Sequence, residues 1–149
     1  MKKTLWLFGT ELEILNDESQ TGGAYDLILG SFQPGTETPL HVHHKYAESL
    51  YVIDGEFTVY TAGNATVLKS GDNFYIPQGT PHAVANTGNI VSKGLTIASP
   101  SGFARLIELT GVEGKSPGIP GDLNNDLDLF IRASEESGDS IIGPPGTRP

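Results

Sequence analysis

From Thr4 to about Ser99 the chain is a succession of short alternating or apolar runs, each closed by a turn residue. Ala24–Phe32, Glu48–Ile53, Glu56–Thr61, Ala65–Leu68, Asn73–Ile76, His82–Ala85 and Val91–Ala98 all read as strands. Asp54-Gly55, between two of them, reads as a tight hairpin turn, because glycine tolerates positive φ. Ala62-Gly63-Asn64 marks another turn. The opening MKKTLWLFGTELE is an apolar run that ends at Gly9 and meets Glu11 and Glu13. It is too short for a signal-peptide core or a membrane span and reads as a first strand. So many short strands specify an all-β sandwich or barrel. The 19 glycines and 10 prolines among 149 residues, against a usual share of about 12 %, supply the turns such a fold needs.

After Pro100 the texture changes. Ser101 reads as the cap of a helix carrying Phe103, Leu106, Ile107 and Thr110, with Gly111 placed to end it. Residues 114–121 form a Gly/Pro-rich connector. A second helix is expected from about Asp122 to Ser137, with Leu123, Leu127, Phe130 and Ile131 on one stripe and Gly138 as its stop. The tail GDSIIGPPGTRP reads as irregular, although Ile141 and Ile142 imply that part of it packs. The expected organisation is a barrel over residues 1–100 and a helical extension over 101–149, packed on it within the same single domain.

Charge narrows the function. A net −9 opposes binding to nucleic acid or to an anionic membrane surface, since phosphate recognition takes a surplus of Lys and Arg. With no cysteine there is neither a disulfide framework nor thiolate chemistry, which suits a cytoplasmic protein.

Three of the chain's four histidines fall in PLHVHHKYAE, residues 39–48. A lone histidine is more often a surface or core residue than a ligand, but here the spacing matters. Side chains at i and i+2 on a strand share a face, about 6.5–7 Å apart at Cα, so His41 and His43 can converge on one ion. Pro39 favours the extended chain this requires. Glu48 opens the next strand and offers a carboxylate; His82 follows a Pro/Gly turn at the start of another. Three imidazoles and a carboxylate suit one divalent transition metal (Fe, Mn, Co, Ni, Cu or Zn) better than Mg or Ca. His44 has the opposite parity and reads as an outer-face residue. Other motifs carry less. GVEGKS at 111–116 lacks the first glycine of a phosphate loop. Asn64-Ala65-Thr66 matches a glycosylation sequon with nothing else to imply secretion. Asp122, Asp126 and Asp128 read as a solvated helix face. Tyr46, Tyr51, Tyr60, Phe74 and Tyr75 read mostly as core, with some at a pocket.

Gly35-(x)5-His41-x-His43-(x)4-Glu48-(x)6-Gly55 and Gly71-(x)5-Pro77-x-Gly79-(x)2-His82-(x)3-Asn86 resemble the two signatures of the cupin superfamily at every fixed position. The resemblance covers about the middle third of the chain. It implies a cupin-type double-stranded β-helix, a jelly-roll barrel, here followed by two C-terminal helices. It also implies that His41, His43, Glu48 and His82 are metal ligands. The later text, Ser99-Pro-Ser-Gly-Phe103 and then Gly143-Pro-Pro145, is similar to single-domain quercetin 2,3-dioxygenase-like cupins. That likeness implies a metal-dependent dioxygenase cleaving a small aromatic or enolisable oxygenated substrate with O2, Glu48 doubling as a catalytic base. The alternatives are a non-redox isomerase or lyase acting on a sugar or keto acid, and a metal-containing binding module. Cupins of this kind are commonly homodimers, and the apolar N-terminal strand is the expected interface.

Overall fold

The computed structural model describes residues 3–114, 118–121 and 123–149. Its strands are β1 Lys3–Leu7, β2 Thr10–Asn16, β3 Asp26–Phe32, β4 Leu40–His43, β5 Ala47–Asp54, β6 Glu56–Thr61, β7 Asn64–Lys69, β8 Asn73–Ile76, β9 Ala83–Ala85, β10 Ser92–Ser99, β11 Val112–Glu113 and β12 Asp139–Gly143. Three helices join them: α1 Glu18–Thr21, α2 Phe103–Thr110 and α3 Leu127–Glu136. One large sheet runs β11-β1-β2-β3-β10-β5-β8; the strands β7-β6-β9 and β12-β4 face it. The latter two sets are stitched together, because Gly35, Thr38 and His41 donate to Asn86, Val84 and His82 along one continuous line. The all-β architecture expected from the strand pattern, and the jelly roll that the resemblance implies, are the fold observed.

Alternation explains the layers. Leu50, Val52, Phe57, Val59, Leu68, Ile76 and Val84 point inward from the two sheets and form the main core. A second cluster, Leu5, Leu12 and Ile28 with Ala104 and Ile107, lies where α2 covers the large sheet. Leu5 and Trp6 are therefore buried within the chain itself, and the N-terminal strand's apolar face is not free for a subunit interface. The same opening segment makes two strands rather than one, pairing as a hairpin across Phe8-Gly9.

Asp54-Gly55 is not a hairpin. Strand β5 pairs with β10 and β8, whereas β6 pairs with β7 and β9, so the chain changes sheets there. Ser92 fastens this corner, its hydroxyl accepting from the Glu56 N–H and donating to the Glu56 carbonyl. Gly55 has φ +78°, and a Cβ on it would lie 2.8 Å from the Ser92 Cα, so only glycine fits. Ala62-Gly63-Asn64 does close the β6–β7 hairpin.

The C-terminal region departs most from expectation. Helix α2 is not capped by Ser101. Gly102 holds the cap position, and the buried Asp26 carboxylate accepts from the Gly102 and Ala104 N–H groups instead. Asp126 caps α3 through the Leu129 N–H, so that helix begins later than expected, and Asp122 lies outside the described residues. Its buried face is Phe130, Ala133 and Ser134; Leu127 is exposed and Leu123 precedes the helix. Gly138, at φ +84°, ends the segment as expected. The tail that reads as irregular forms β12 and pairs antiparallel with β4. Lys115 and Ser116 of the GVEGKS stretch also lie outside the described residues. Among the described residues no helix is long and apolar enough to cross a membrane.

Candidate metal centre

Strand β4 lies between two neighbours. On one side His41 exchanges both backbone hydrogen bonds with His82, at 3.1 and 3.0 Å, and the His43 carbonyl accepts from the Gly79 N–H. On the other side β12 pairs with it, Asp139 opposite His43 and Ile141 opposite His41. The strand parity that puts His41 and His43 on one face aims both into the barrel, and Glu48 at the start of β5 meets them. Ligand atoms of His41, His43, Glu48 and His82 all lie within 4.8 Å of one another. The Nε2 atoms of His43 and His82 are each 3.1 Å from Glu48 Oε2. His44 takes no part; it is exposed and meets Ser140 at 2.9 Å.

The outer nitrogens reveal what the centre is built for. His41 Nδ1 lies 2.7 Å from the Pro39 carbonyl, His82 Nδ1 2.9 Å from the Thr80 carbonyl, and His43 Nδ1 2.8 Å from Asp139 Oδ1. All three partners are acceptors, so a proton held on each Nδ1 leaves each Nε2 able to turn a lone pair toward a bound cation. Three such lone pairs and a carboxylate converge on one point. That donor set fits a divalent transition cation.

Charge within the metal-free cluster follows the same geometry. Burial lowers the His43 imidazole, but the Glu48 and Asp139 carboxylates outweigh it and raise it to about 9. Burial and the neighbouring His82 and His43 charges depress His41 to about 3. Burial alone would raise Glu48; the charge of His43 and the hydrogen bonds from His43 and His82 hold it well below the usual carboxylate range. A proton on His43 thus balances part of the charge of the two carboxylates beside it.

Asp139 is the residue that sequence reasoning missed. It lies in the tail read as irregular, 96 positions from its partner, and no local pattern marks it. Its Oδ2 accepts from the Tyr46 hydroxyl at 3.3 Å, and the Tyr46 ring stacks on His43 with centroids 4.3 Å apart.

A cavity of about 130 Å³ opens on the four residues. Its walls are mainly apolar, with Phe32, Phe57, Phe103 and Phe130 among them, and none of its described lining residues is Lys or Arg. None of the five aromatics singled out in the sequence lines it: Tyr46 is in the core, while Tyr51 and Tyr75 are exposed. Ser134 also lines the cavity, and its fully buried hydroxyl has no hydrogen-bond partner among the described residues.

Comparison with known proteins agrees with this arrangement. Residues 28–97 match the cupin domain model. Over 79 residues the chain is 35 % identical to a quercetin 2,3-dioxygenase of Bacillus subtilis, covering 52 % of this chain but only 23 % of that enzyme. It is 31 % identical over 88 residues to an uncharacterized protein of Methanocaldococcus jannaschii, covering 59 % of this chain and 70 % of the relative. The solved structure of KdgF from a Halomonas species superposes with a TM-score of 0.58 at 23 % identity, over 65 % of this chain and 85 % of that one; at that identity the likeness concerns the fold. With both signature segments folded around one His/Glu cluster, this chain belongs to the cupin superfamily.

Proposed function

We propose that the protein is a metal-dependent cupin dioxygenase acting on a small aromatic or enolisable oxygenated substrate. His41, His43, Glu48 and His82 would hold one divalent transition metal. The observation that carries this reading is the set of three Nδ1-anchored histidines and one carboxylate opening on an apolar cavity. A bound ion would supply Lewis-acid chemistry and, if redox-active, electron transfer to dioxygen.

The chain's own residues narrow the substrate. A cavity of about 130 Å³ is comparable to the ~150 Å³ site that accepts benzene, which favours a one-ring compound or small diketone over a three-ring flavonol. Phenylalanine walls exclude water from one face. The lack of lining Lys or Arg disfavours a phosphorylated sugar. Three neutral imidazoles and one carboxylate around a divalent ion leave about one positive charge, which favours an enolate or phenolate. Glu48, in the His/Glu cluster that lines the cavity, is the carboxylate placed to accept the substrate proton as binding acidifies the substrate. O2 is the proposed co-substrate and a homodimer the proposed assembly, the latter checked by light scattering.

The experiment is elemental analysis followed by oxygen uptake with Mn-, Fe-, Co-, Ni- and Cu-loaded protein on catechols, small diketones and flavonols. About one metal per chain is expected, lost in His41→Ala, His43→Ala and His82→Ala but kept in His44→Ala. Full metal in two of the first three variants would overturn the site assignment. Product formation without oxygen uptake would replace the oxygenase with an isomerase or lyase, and binding without turnover would leave a binding module.

A further inference from the structure

We infer that Asp139 is a positioning residue for the metal centre, and that the C-terminal strand β12 thereby completes the site. This rests on the metal-binding reading above. The inference follows from three contacts that meet on one ring. Asp139 Oδ1 lies 2.8 Å from His43 Nδ1. The Tyr46 hydroxyl donates to the other oxygen of the same carboxylate. The Tyr46 ring lies over the imidazole with an interplanar angle of 25°.

Each contact removes one freedom of His43. The carboxylate accepts the Nδ1 proton and so leaves Nε2 as the coordinating atom, while stacking blocks rotation of the ring out of the cavity. His41 and His82 are held differently, through the backbone carbonyls of Pro39 and Thr80. Those acceptors are neutral and belong to residues two positions away, so any chain with this local geometry provides them. Of the three Nδ1 atoms only that of His43 meets a charged partner, which makes His43 the more basic donor. Asp139 is delivered from outside the barrel proper: Gly138 turns the chain, its carbonyl accepts from the His44 N–H, and β12 then pairs with β4 in the register that sets Asp139 opposite His43. Both acid and ring are buried, at 4 and 5 % exposure, so bulk water competes little for their contact.

Cobalt(II) binding tests this in the full-length protein. Asp139→Asn keeps the shape of the side chain but removes its charge and can present an amide N–H to His43. It is expected to weaken cobalt affinity by about 10- to 100-fold in a chelator competition and to alter the visible cobalt spectrum. Tyr46→Phe retains the stack and should cost less than Asp139→Asn. Unchanged affinity and spectrum in a folded Asp139→Asn protein would overturn the inference while leaving the metal centre intact. No cobalt binding by the unaltered protein would overturn the metal-centre reading itself, and this inference with it. Should Asp139→Asn fail to fold, nitrogen-15 NMR of the unaltered, zinc-loaded protein decides. A slowly exchanging proton on His43 Nδ1 supports the role, and an unprotonated Nδ1 refutes it.

Discussion

At the scale of single residues, the centre is defined by which nitrogen of each histidine is occupied. In the metal-free protein His43 is raised to about 9 from an ordinary 6.5. A raised cationic group stabilises the fold fully below its unfolded value and loses that contribution as pH climbs through the folded one. Metal-free protein should therefore lose stability between about pH 6.5 and 9, by an amount on the order of 3 kcal/mol from this group alone. A calorimetric pH series on the chelated protein measures it, and a flat profile would contradict the assignment. The same proton competes with metal, so apparent affinity should rise with pH up to about 9 and then level off. His41, depressed to about 3, adds no such competition near neutrality. Ser134 offers an independent check. A buried hydroxyl without a partner destabilises by about 1–3 kcal/mol, and alanine is also the better helix former. Ser134→Ala should accordingly raise Tm by roughly 2–4 °C, about what 1 kcal/mol gives in a chain of this size; a lower Tm would show that the hydroxyl has a partner in solution.

At the scale of elements, helix α2 depends on a residue that it does not contain. Asp26, at 1 % exposure, accepts from the Gly102 and Ala104 N–H groups at 2.9 Å each. A capping side chain contributes about 1 kcal/mol in exposed helices. Removal of a buried one also strands two donors at about 1–3 kcal/mol each. Asp26→Ala is expected to cost at least about 2 kcal/mol in urea unfolding. Ser101→Ala should cost less than about 0.5 kcal/mol, because Ser101 lies outside the cap. If the two variants melt alike, the capping assignment fails. The corner at Gly55 obeys similar logic: a side chain there meets both an unfavourable φ and the Ser92 backbone.

At the scale of the whole molecule, we propose that the barrel and the C-terminal extension behave as one folding unit. Helix α2 covers Leu5, Leu12 and Ile28, while β12 covers the edge of β4 that bears His41 and His43. An uncovered strand edge is open to pairing with other chains. Truncation after Ser99 removes both covers. It should cost several kcal/mol, since each large apolar side chain buried contributes about 1.5–3, and it should promote aggregation. A truncated chain that melts with the full-length profile would show the extension to be independent.

The convergence of His41 and His43 was legible because strand parity is a local property: side chains two apart share a face whatever the strand pairs with; Glu48 and His82 joined them through the resemblance to the cupin signatures. The glycines at 55, 79 and 138 were legible as turns for a related reason, since a positive φ excludes most other residues wherever it occurs. What the chain does beyond those turns was not legible. Asp54-Gly55 has the composition of a hairpin, yet here it joins two sheets, because pairing is decided by which distant strand satisfies the backbone groups. Asp26 reaches a helix 76 residues on, and Asp139 reaches a histidine 96 residues back. Local sequence determined that His41 and His43 share one face. The tertiary fold alone decided what holds those donors still, because a buried charged contact between distant segments exists only once long-range packing has excluded water from both.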